Sequence, residues 1–201
     1  MYGTQPMARD VLYAYSYLGV AGQVLIALML LLAMLALLGI RSPLDLLRRM
    51  LWGYELWAAF VVAALATGGS LFYSEVMGFI PCEFCWYQRI CMYPLSILLL
   101  IAAWYGENRL ARYLVVLPIG GACVSIYHMF IAYGAIHEPT ACTVTPGGCA
   151  INWLAIPAHD VTFGYLTIPT LALTAFLLLI GFLVLAATGT ADDVATLPAD
   201  A

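Results

Sequence analysis

Residues 81–105 read PCEFCWYQRICMYPLSILLLIAAWY, a C-x-x-C pair formed by Cys82 and Cys85 and followed at once by an apolar stretch. From Trp86 onward the stretch has the length of roughly 20 residues that an α-helix needs to cross the core of a bilayer. Thiols at the end of a membrane helix can exchange disulfides with a water-soluble partner while lying beside a lipid-soluble electron carrier. The stretch therefore predicts a membrane fold with thiol chemistry at its surface.

The composition of the whole chain points the same way. Hydrophobic residues make up 65% of the 201 residues and charged residues only 9%, which is far from the usual composition of soluble domains. A soluble fold of this size could not bury so much apolar surface, so the sequence predicts an integral membrane protein in a lipid bilayer. The chain has no basic tract, and we therefore expect no nucleic-acid partner.

Five apolar segments have the length of membrane-spanning helices. We place them at about 17–40, 54–74, 86–105, 113–133 and 167–187, which predicts an all-α bundle. The first segment is longer than the apolar core of a signal peptide, and no clear small-x-small cleavage site follows it. We therefore expect it to be a retained helix.

The arginines predict the orientation, because the chain has no lysine. Cytoplasmic loops carry an excess of positive charge. Five of the seven arginines follow the first and third segments, namely Arg41, Arg48, Arg49, Arg109 and Arg112, whereas Arg9 and Arg89 fall on the other side. Both cysteine pairs then face the extracytoplasmic space, where disulfides persist.

A second cysteine pair, Cys142 and Cys149, brackets a Thr-Pro-Gly-Gly turn in the long loop from about 134 to 166. A structural staple is one interpretation, although closing so short a loop contributes only about 2.5 kcal/mol of chain entropy. A second pair on the same side as a C-x-x-C pair favours a disulfide relay instead. Loops of this length are commonly functional, so we expect a partner to dock here. Trp153, Leu154 and Ile156 of this loop are expected to lie on the membrane surface.

The residues around Cys82 and Cys85 favour redox chemistry. Thiols at a helix N-terminus lie near the positive end of the helix dipole, which favours the thiolate. Arg89, four residues after Cys85, would lie on the same helix face. Its guanidinium would stabilise a Cys85 thiolate or an anionic oxygen of a reduced carrier. A zinc site and a static disulfide remain alternatives. Covalent haem attachment is excluded, because Trp86 and not histidine follows Cys85.

The remaining cysteines and the histidines carry weaker signals. Cys91 and Cys123 lie within predicted spans, where we expect them to behave as small apolar residues. His128 lies near the outer end of the fourth span and is a functional candidate, because ionisable residues are costly within a membrane. A histidine that only bonds the neighbouring backbone is an equal alternative. His137 and His159 are expected to be ordinary surface groups.

Several motifs together resemble one family. The string Cys82-x-Phe84-Cys85-Trp86-Tyr87-Gln88-Arg89 and the following Met92-Tyr93-Pro94 resemble the disulfide bond formation protein B family, especially its quinone-linked Gram-positive branch. Further matches in the same order are His128, then Cys142 and Cys149, then Thr167-Ile168-Pro169. The order of the cysteine pairs separates the chain from the vitamin K epoxide reductase family, in which the C-x-x-C pair follows the loop pair.

The resemblance covers roughly residues 54–187 and implies a four-helix transmembrane bundle. Residues 1–53 would then add an N-terminal transmembrane helix and a cytoplasmic connection, and residues 188–201 would form a flexible tail. The added helix would put the N-terminus outside. Phe84 replaces the leucine common in the family, a change that should preserve an apolar contact.

The resemblance also implies an activity in the bacterial cytoplasmic membrane. An extracytoplasmic thioredoxin-fold (DsbA-like) thiol oxidase would be reoxidised by the loop pair, with Cys142 forming the mixed disulfide. Cys149 would then exchange with Cys82, while Cys85 would face a quinone, either ubiquinone or menaquinone. Arg89 would hold a quinone oxygen, and His128 is a weaker candidate for that contact.

Three other functions remain open from the sequence. A quinol-dependent disulfide reductase would run the same chemistry backwards, because the direction depends only on the two potentials. A membrane metal-binding protein would use Cys82 and Cys85, with His128 as a further candidate ligand. We favour redox chemistry and therefore predict no metal site. A structural subunit would use its disulfides only to brace loops.

Overall fold

The computed structural model describes residues 6–40, 42–137, 139, 142, 149 and 165–192. This part of the chain folds into α-helices with short connections. The helices are α1 (Pro6–Leu37), α2 (Ser42–Leu51), α3 (Glu55–Leu71), α4 (Glu83–Tyr105), α5 (Ala111–Leu114), α6 (Val116–Ala132) and α7 (Ile168–Asp192). A π-helical segment, Phe72–Val76, extends α3, and a 3-10 turn, Asn108–Leu110, precedes α5.

Within the described residues, five helical segments are long and apolar enough to span a membrane. They are Asp10–Leu37, Glu55–Val76, Glu83–Tyr105, Asn108–Ala132 and Ile168–Gly189. The outward faces of the spans carry large apolar side chains such as Val24, Leu30 and Ile97, each more than 60% exposed. Lipid, not water, suits such a surface. The chain is therefore an all-α, multi-pass membrane protein, as predicted.

The helix bounds differ from the sequence prediction at several ends, of which three affect the description below. Helix α1 begins at Pro6 and not near residue 17, because its polar first turns still form helix, with Ser16 Oγ donating to the Leu12 carbonyl at 2.9 Å. Helix α4 begins at Glu83 and not at Trp86, since an acidic residue in the first turn favours a helix N-terminus. Helix α7 continues to Asp192, and residues 193–201 lie outside the described residues. The division into residues 1–53, 54–187 and 188–201 stays a prediction.

The core lies between α3, α4, α6 and α7. Its largest fully buried side chains include Leu95, Leu99, Phe176, Leu179 and Leu183. Two small-residue patches, Gly68-Gly69-Ser70 and Gly120-Gly121-Ala122, permit close packing around it. A Cβ at Gly121 would overlap the ring of Phe176, and a Cβ at Gly69 would lie 2.6 Å from the ring of Tyr15.

The ends of the helices place both cysteine pairs at one end of the bundle. Helix α4 starts there with Cys82 as its N-cap, and Thr167 caps the start of α7, accepting from the Thr170 backbone N–H at 3.4 Å. The N-terminal part of α1 lies at this end too, because Leu12 packs against Tyr73 and Met77. At the other end, Arg48 donates to Thr188 near the close of α7 at 3.2 Å.

Candidate thiol–disulfide site

Cys82 and Cys85 lie side by side at the start of α4. Cys82 is the N-cap residue, with extended backbone (φ −75°, ψ 172°), and Cys85 is in the first turn. Both are thiols, and their Sγ atoms are 3.1 Å apart, within hydrogen-bond reach. A thiol pair this close needs only a small movement of one side chain to close a disulfide.

His128 on α6 joins the two cysteine pairs. Its Nε2 lies 3.6 Å from Cys82 Sγ and 3.3 Å from the backbone carbonyl oxygen of Cys149. A carbonyl oxygen only accepts, so the second contact requires a proton on Nε2. The same N–H then also points toward Cys82, whose sulfur acts as the acceptor. His128 thus lies within hydrogen-bond reach of both pairs. It bonds backbone, as one interpretation predicted, and its functional role stays a prediction.

These contacts change the acidity of Cys82. The hydrogen bond from Cys85 lowers the pKa of Cys82 most, and the hydrogen bond and charge of His128 lower it further, against the opposing effect of burial. A lowered pKa increases the thiolate fraction at neutral pH, and the thiolate is the nucleophile in disulfide exchange. The site therefore stabilises the thiolate form of Cys82, which is the form that attacks or leaves in disulfide exchange.

The second pair is a disulfide between Cys142 and Cys149. Both residues are fully buried and cluster with Cys82 and Ile131, and Phe84 and Cys85 pack against this cluster. The loop pair therefore lies directly over the C-x-x-C pair. The turn between Cys142 and Cys149 lies outside the described residues, as do Trp153, Leu154, Ile156 and His159.

Arg89 lies one turn below Cys85, on the side facing α3. It donates from Nε to Ser70 Oγ at 3.0 Å and from Nη2 to the Ser70 carbonyl at 3.1 Å. The Tyr93 hydroxyl donates to the same Ser70 Oγ at 3.2 Å, and the Trp86 ring centroid lies 5.3 Å from the guanidinium carbon. The bonds to Ser70 use two of the five N–H donors of an arginine, which leaves up to three for a ligand.

Cys85 and Arg89 open on the same cavity. Its volume is about 360 Å³, and its walls come from α1, α3, the π-helical segment, α4 and α7. Gln88 of the sequence motif also lines it, whereas His128 is not among the described residues that do. The lining is mostly apolar, with a few polar groups near Cys85, which is typical of sites for small organic ligands.

Sequence reasoning missed Tyr73 and Ser70 in this cavity. The Tyr73 side chain is only 6% exposed, and its hydroxyl has no hydrogen-bond partner within the described part of the chain. It lies in the π-helical segment, a feature that is frequent at functional sites. The sequence Gly68-Gly69-Ser70 is typical of close helix packing and carries no signal for a contact between Ser70 and Arg89.

The other candidate residues lie apart from this site. Cys91 is half-buried within α4, and His137 is exposed, as expected for these residues. Cys123 lies within a span, as expected, on the exposed face of α6. On another face of α6, Gly121 packs against Phe176 of α7.

The thiols and the imidazole also form a set of possible metal ligands. One donor atom each from Cys82, Cys85 and His128 lies within 4.8 Å of the others. Thiolate and imidazole are ligands that zinc prefers, and structural zinc sites hold four of them. The three side chains would thus supply most, but not all, of a closed zinc site.

The chain is similar to known proteins of disulfide bond formation. A family model described as disulfide bond formation protein DsbB matches residues 48–189. The disulfide bond formation protein C of Bacillus subtilis (strain 168) is 44% identical over 134 residues, which are 65% of this chain and 90% of that protein.

Two further organisms contain proteins that are similar to this chain. A probable disulfide formation protein of Deinococcus radiodurans is 38% identical over 131 residues, covering 64% of this chain and 86% of that protein. One from Coxiella burnetii (strain CbuK_Q154) is 36% identical over 143 residues, covering 69% and 90%. No solved structure matches the chain.

Proposed function

The chain belongs to the disulfide bond formation protein DsbB family, and from that premise we propose that it oxidises a thioredoxin-fold thiol oxidase and passes the electrons to membrane quinone. Its general role is that of an oxidoreductase in disulfide bond formation. The observation that carries the finer proposal is the position of Cys85. Its thiol lies 3.1 Å from Cys82 on one side and borders an apolar cavity with Arg89 on the other.

The thiol relay begins at the loop pair. A thiolate of the reduced partner attacks Cys142 and breaks the Cys142–Cys149 disulfide, and the second partner thiol resolves the mixed disulfide. The freed Cys149 attacks a Cys82–Cys85 disulfide at Cys82, and Cys142 then closes the loop disulfide again. Cys82 and Cys85 are left as thiols, carrying the two electrons and two protons that the partner lost.

His128 supports the transfer between the pairs. Its Nε2–H lies within reach of both Cys82 Sγ and the Cys149 backbone. It can stabilise negative charge on Cys82 when that sulfur leaves or attacks, and it holds the Cys149 backbone above it. His128 is thus a positioning residue of the relay in this proposal.

The cavity beside Cys85 fits a quinone. A quinone held there would supply the oxidant, because it could accept the two electrons and two protons that Cys82 and Cys85 release when they return to a disulfide. The largely apolar walls suit a lipid-soluble ring and tail. Arg89, fixed by Ser70, and the Tyr73 hydroxyl, unpaired within the described residues, are the donors that would hold the ring oxygens.

The test is quinone reduction by the purified protein, followed optically with a reduced thioredoxin-fold oxidase as the donor. Ubiquinone and menaquinone are tried in turn. We expect Cys85→Ala to abolish turnover with any donor. Cys142→Ala should abolish turnover with the protein donor but keep turnover with a small dithiol, which can reduce the Cys82–Cys85 disulfide directly.

Exposed Cys123 supplies the matched control, because Cys123→Ala removes a thiol that the relay does not use. Turnover that survives Cys85→Ala would contradict the proposal. Quinol-driven reduction of the oxidase, without the forward reaction, would instead favour the reverse activity.

A thiolate metal site is the second candidate, because the donor atoms of Cys82, Cys85 and His128 lie so close together. Metal binding to this set requires reduced thiols. Metal analysis of the reduced protein, with His128→Ala and exposed His137→Ala compared, distinguishes the two candidates. A stoichiometric metal that is lost only in His128→Ala, in a protein without quinone reductase activity, would favour the metal site.

A further inference from the structure

Helix α1 forms one wall of the cavity that opens on Cys85 and Arg89. Six residues of this helix line it: Tyr15, Leu18, Gly19, Ala21, Gly22 and Leu25. The family match begins only at residue 48. The matched part of the chain therefore does not supply this wall, and the cavity takes its shape from an element added before it.

Specific contacts hold α1 against the rest of the site. The Tyr15 hydroxyl donates to the Leu65 carbonyl at 3.3 Å, and its ring lies over Gly69, next to the serine that holds Arg89. Further down the helix, Gly22 lies so close to α7 that a Cβ there would be 2.9 Å from the Thr174 methyl group. These contacts make α1 a fixed wall.

The cavity is long and has one polar end. On α7 its lining runs from Ile168 to Leu178, a rise of about 15 Å at 1.5 Å per residue. Arg89 and the Tyr73 hydroxyl, which has no hydrogen-bond partner among the described residues, lie at the end near Cys85. Toward the other end the lining is apolar except for Thr174, whose hydroxyl donates to the Thr170 carbonyl at 2.9 Å. A polar ring with a long hydrocarbon tail has the same distribution of polarity.

Resting on the proposed quinone reaction, we propose that α1 binds the isoprenoid tail of the quinone along its Leu18–Leu25 face. The ring lies at the Cys85 end, and the tail runs down the cavity between α1 and α3, along α7. The added helix is then a determinant of affinity for long-tailed quinones.

The test introduces tryptophan on the Leu18–Leu25 face of α1. The variants are studied as the whole chain in lipid nanodiscs. Ala21 lines the cavity and is exposed at its edge, so Ala21→Trp fills the tail path without entering the core. Val24 on the same helix is 64% exposed and is not a lining residue, which makes Val24→Trp the matched control. Leu18→Trp is a second variant, because Leu18 lines the cavity and is 48% exposed.

The probes are ubiquinone and menaquinone with long tails, and the corresponding ring-only quinones. We expect Ala21→Trp and Leu18→Trp to raise KM for the long-tailed quinone roughly tenfold, and to leave KM for the ring-only quinone within about twofold. Val24→Trp should change neither. Disulfide exchange between the reduced oxidase and the Cys142–Cys149 pair, measured without quinone, reports whether each variant is folded.

The outcomes separate the two proposals. A wild-type protein that reduces no quinone contradicts the proposed function itself. A wild-type protein that reduces both forms, with folded α1 variants that change neither KM or change both equally, contradicts the role of α1 alone.

Discussion

At the scale of single residues, the acidity of Cys82 depends on a side chain 46 positions away. His128 contacts Cys82 Sγ at 3.6 Å, and together with Cys85 it lowers the pKa of Cys82 below the ordinary thiol value. We expect His128→Ala to raise this pKa, because it removes the hydrogen bond and the charge of the imidazole. Thiolate absorbance of the reduced protein, titrated against pH and compared with Cys82→Ala, measures the change.

The lowered pKa of Cys82 also makes the stability of the reduced protein depend on pH. Because the pKa of Cys82 is lower in the folded protein, its thiolate stabilises the reduced fold above the ordinary thiol pKa, and this stabilisation is lost as pH falls through the lowered value. His128→Ala should therefore reduce the stability of the reduced protein at alkaline pH and leave it less affected in acid. The control is His137→Ala at an exposed position, and equal titration curves for the two variants would refute the role of His128.

Substitution of Arg89 is the test of the proposed quinone site at the scale of single residues. Hydrogen bonds to a charged group contribute about 1.5–3 kcal/mol, so we expect Arg89→Ala to raise KM for quinone roughly tenfold or more. Folding should change little, because Ser70 and Tyr93 can still bond each other. Steady-state kinetics and the yield of folded protein in detergent measure the two effects, with Arg112→Ala as the control. Parallel loss of quinone use and of folded protein would mean that Arg89 is structural.

The sequence predicted contacts between residues that are close along the chain, but not contacts between different helices. The relation between Cys85 and Arg89 was predictable, because residues four apart share a helix face. The sequence also placed His128 level with the first cysteine pair. It could not show that His128 would reach Cys82, or that Ser70 would hold Arg89, because both contacts join different helices and depend on how those helices pack.

At the scale of helices, packing between α6 and α7 depends on a single glycine. A Cβ at Gly121 would overlap the Phe176 ring, whereas a Cβ at neighbouring Gly120 would meet only Cys91 Sγ, at 3.9 Å. We expect Gly121→Ala to destabilise the protein by about 1–3 kcal/mol through overpacking. Gly120→Ala should be neutral, or stabilising by about 0.5–1 kcal/mol through helix propensity. Thermal unfolding of the two detergent-solubilised variants makes the comparison, and equal midpoints would show that Phe176 moves aside freely.

The helices themselves were predictable, but some of their ends were not. Hydropathy located all five spans, because each needs a long apolar stretch. It missed the first turns of α1 and α4, which contain polar residues such as Ser16 and Glu83. The early start of α4 matters for the chemistry, because it makes Cys82 the N-cap residue and puts Cys85 inside the helix.

At the scale of the whole molecule, the cavity combines matched and unmatched parts of the chain. Cys85 and Arg89 come from the region that the family model matches, whereas Tyr15 and Gly22 come from the helix before it. The sequence predicted that this helix would span the membrane but gave no role for it. Hydropathy predicts the length of an apolar helix, but it does not show which face of that helix lines a cavity.

The orientation of the molecule in the membrane is the last prediction. Five spans put the two termini on opposite sides, and both cysteine pairs lie at the end where α1 begins. Arg48, Arg49, Arg109 and Arg112 lie at the other end, which the positive-inside rule assigns to the cytoplasm. A fluorescent protein fused to the C-terminus should therefore fluoresce inside the cell and resist protease added to spheroplasts, while an N-terminal epitope tag should be cleaved. A protected N-terminal tag with a C-terminal fusion open to protease would put both cysteine pairs in the reducing cytoplasm, where a disulfide-forming relay has no use.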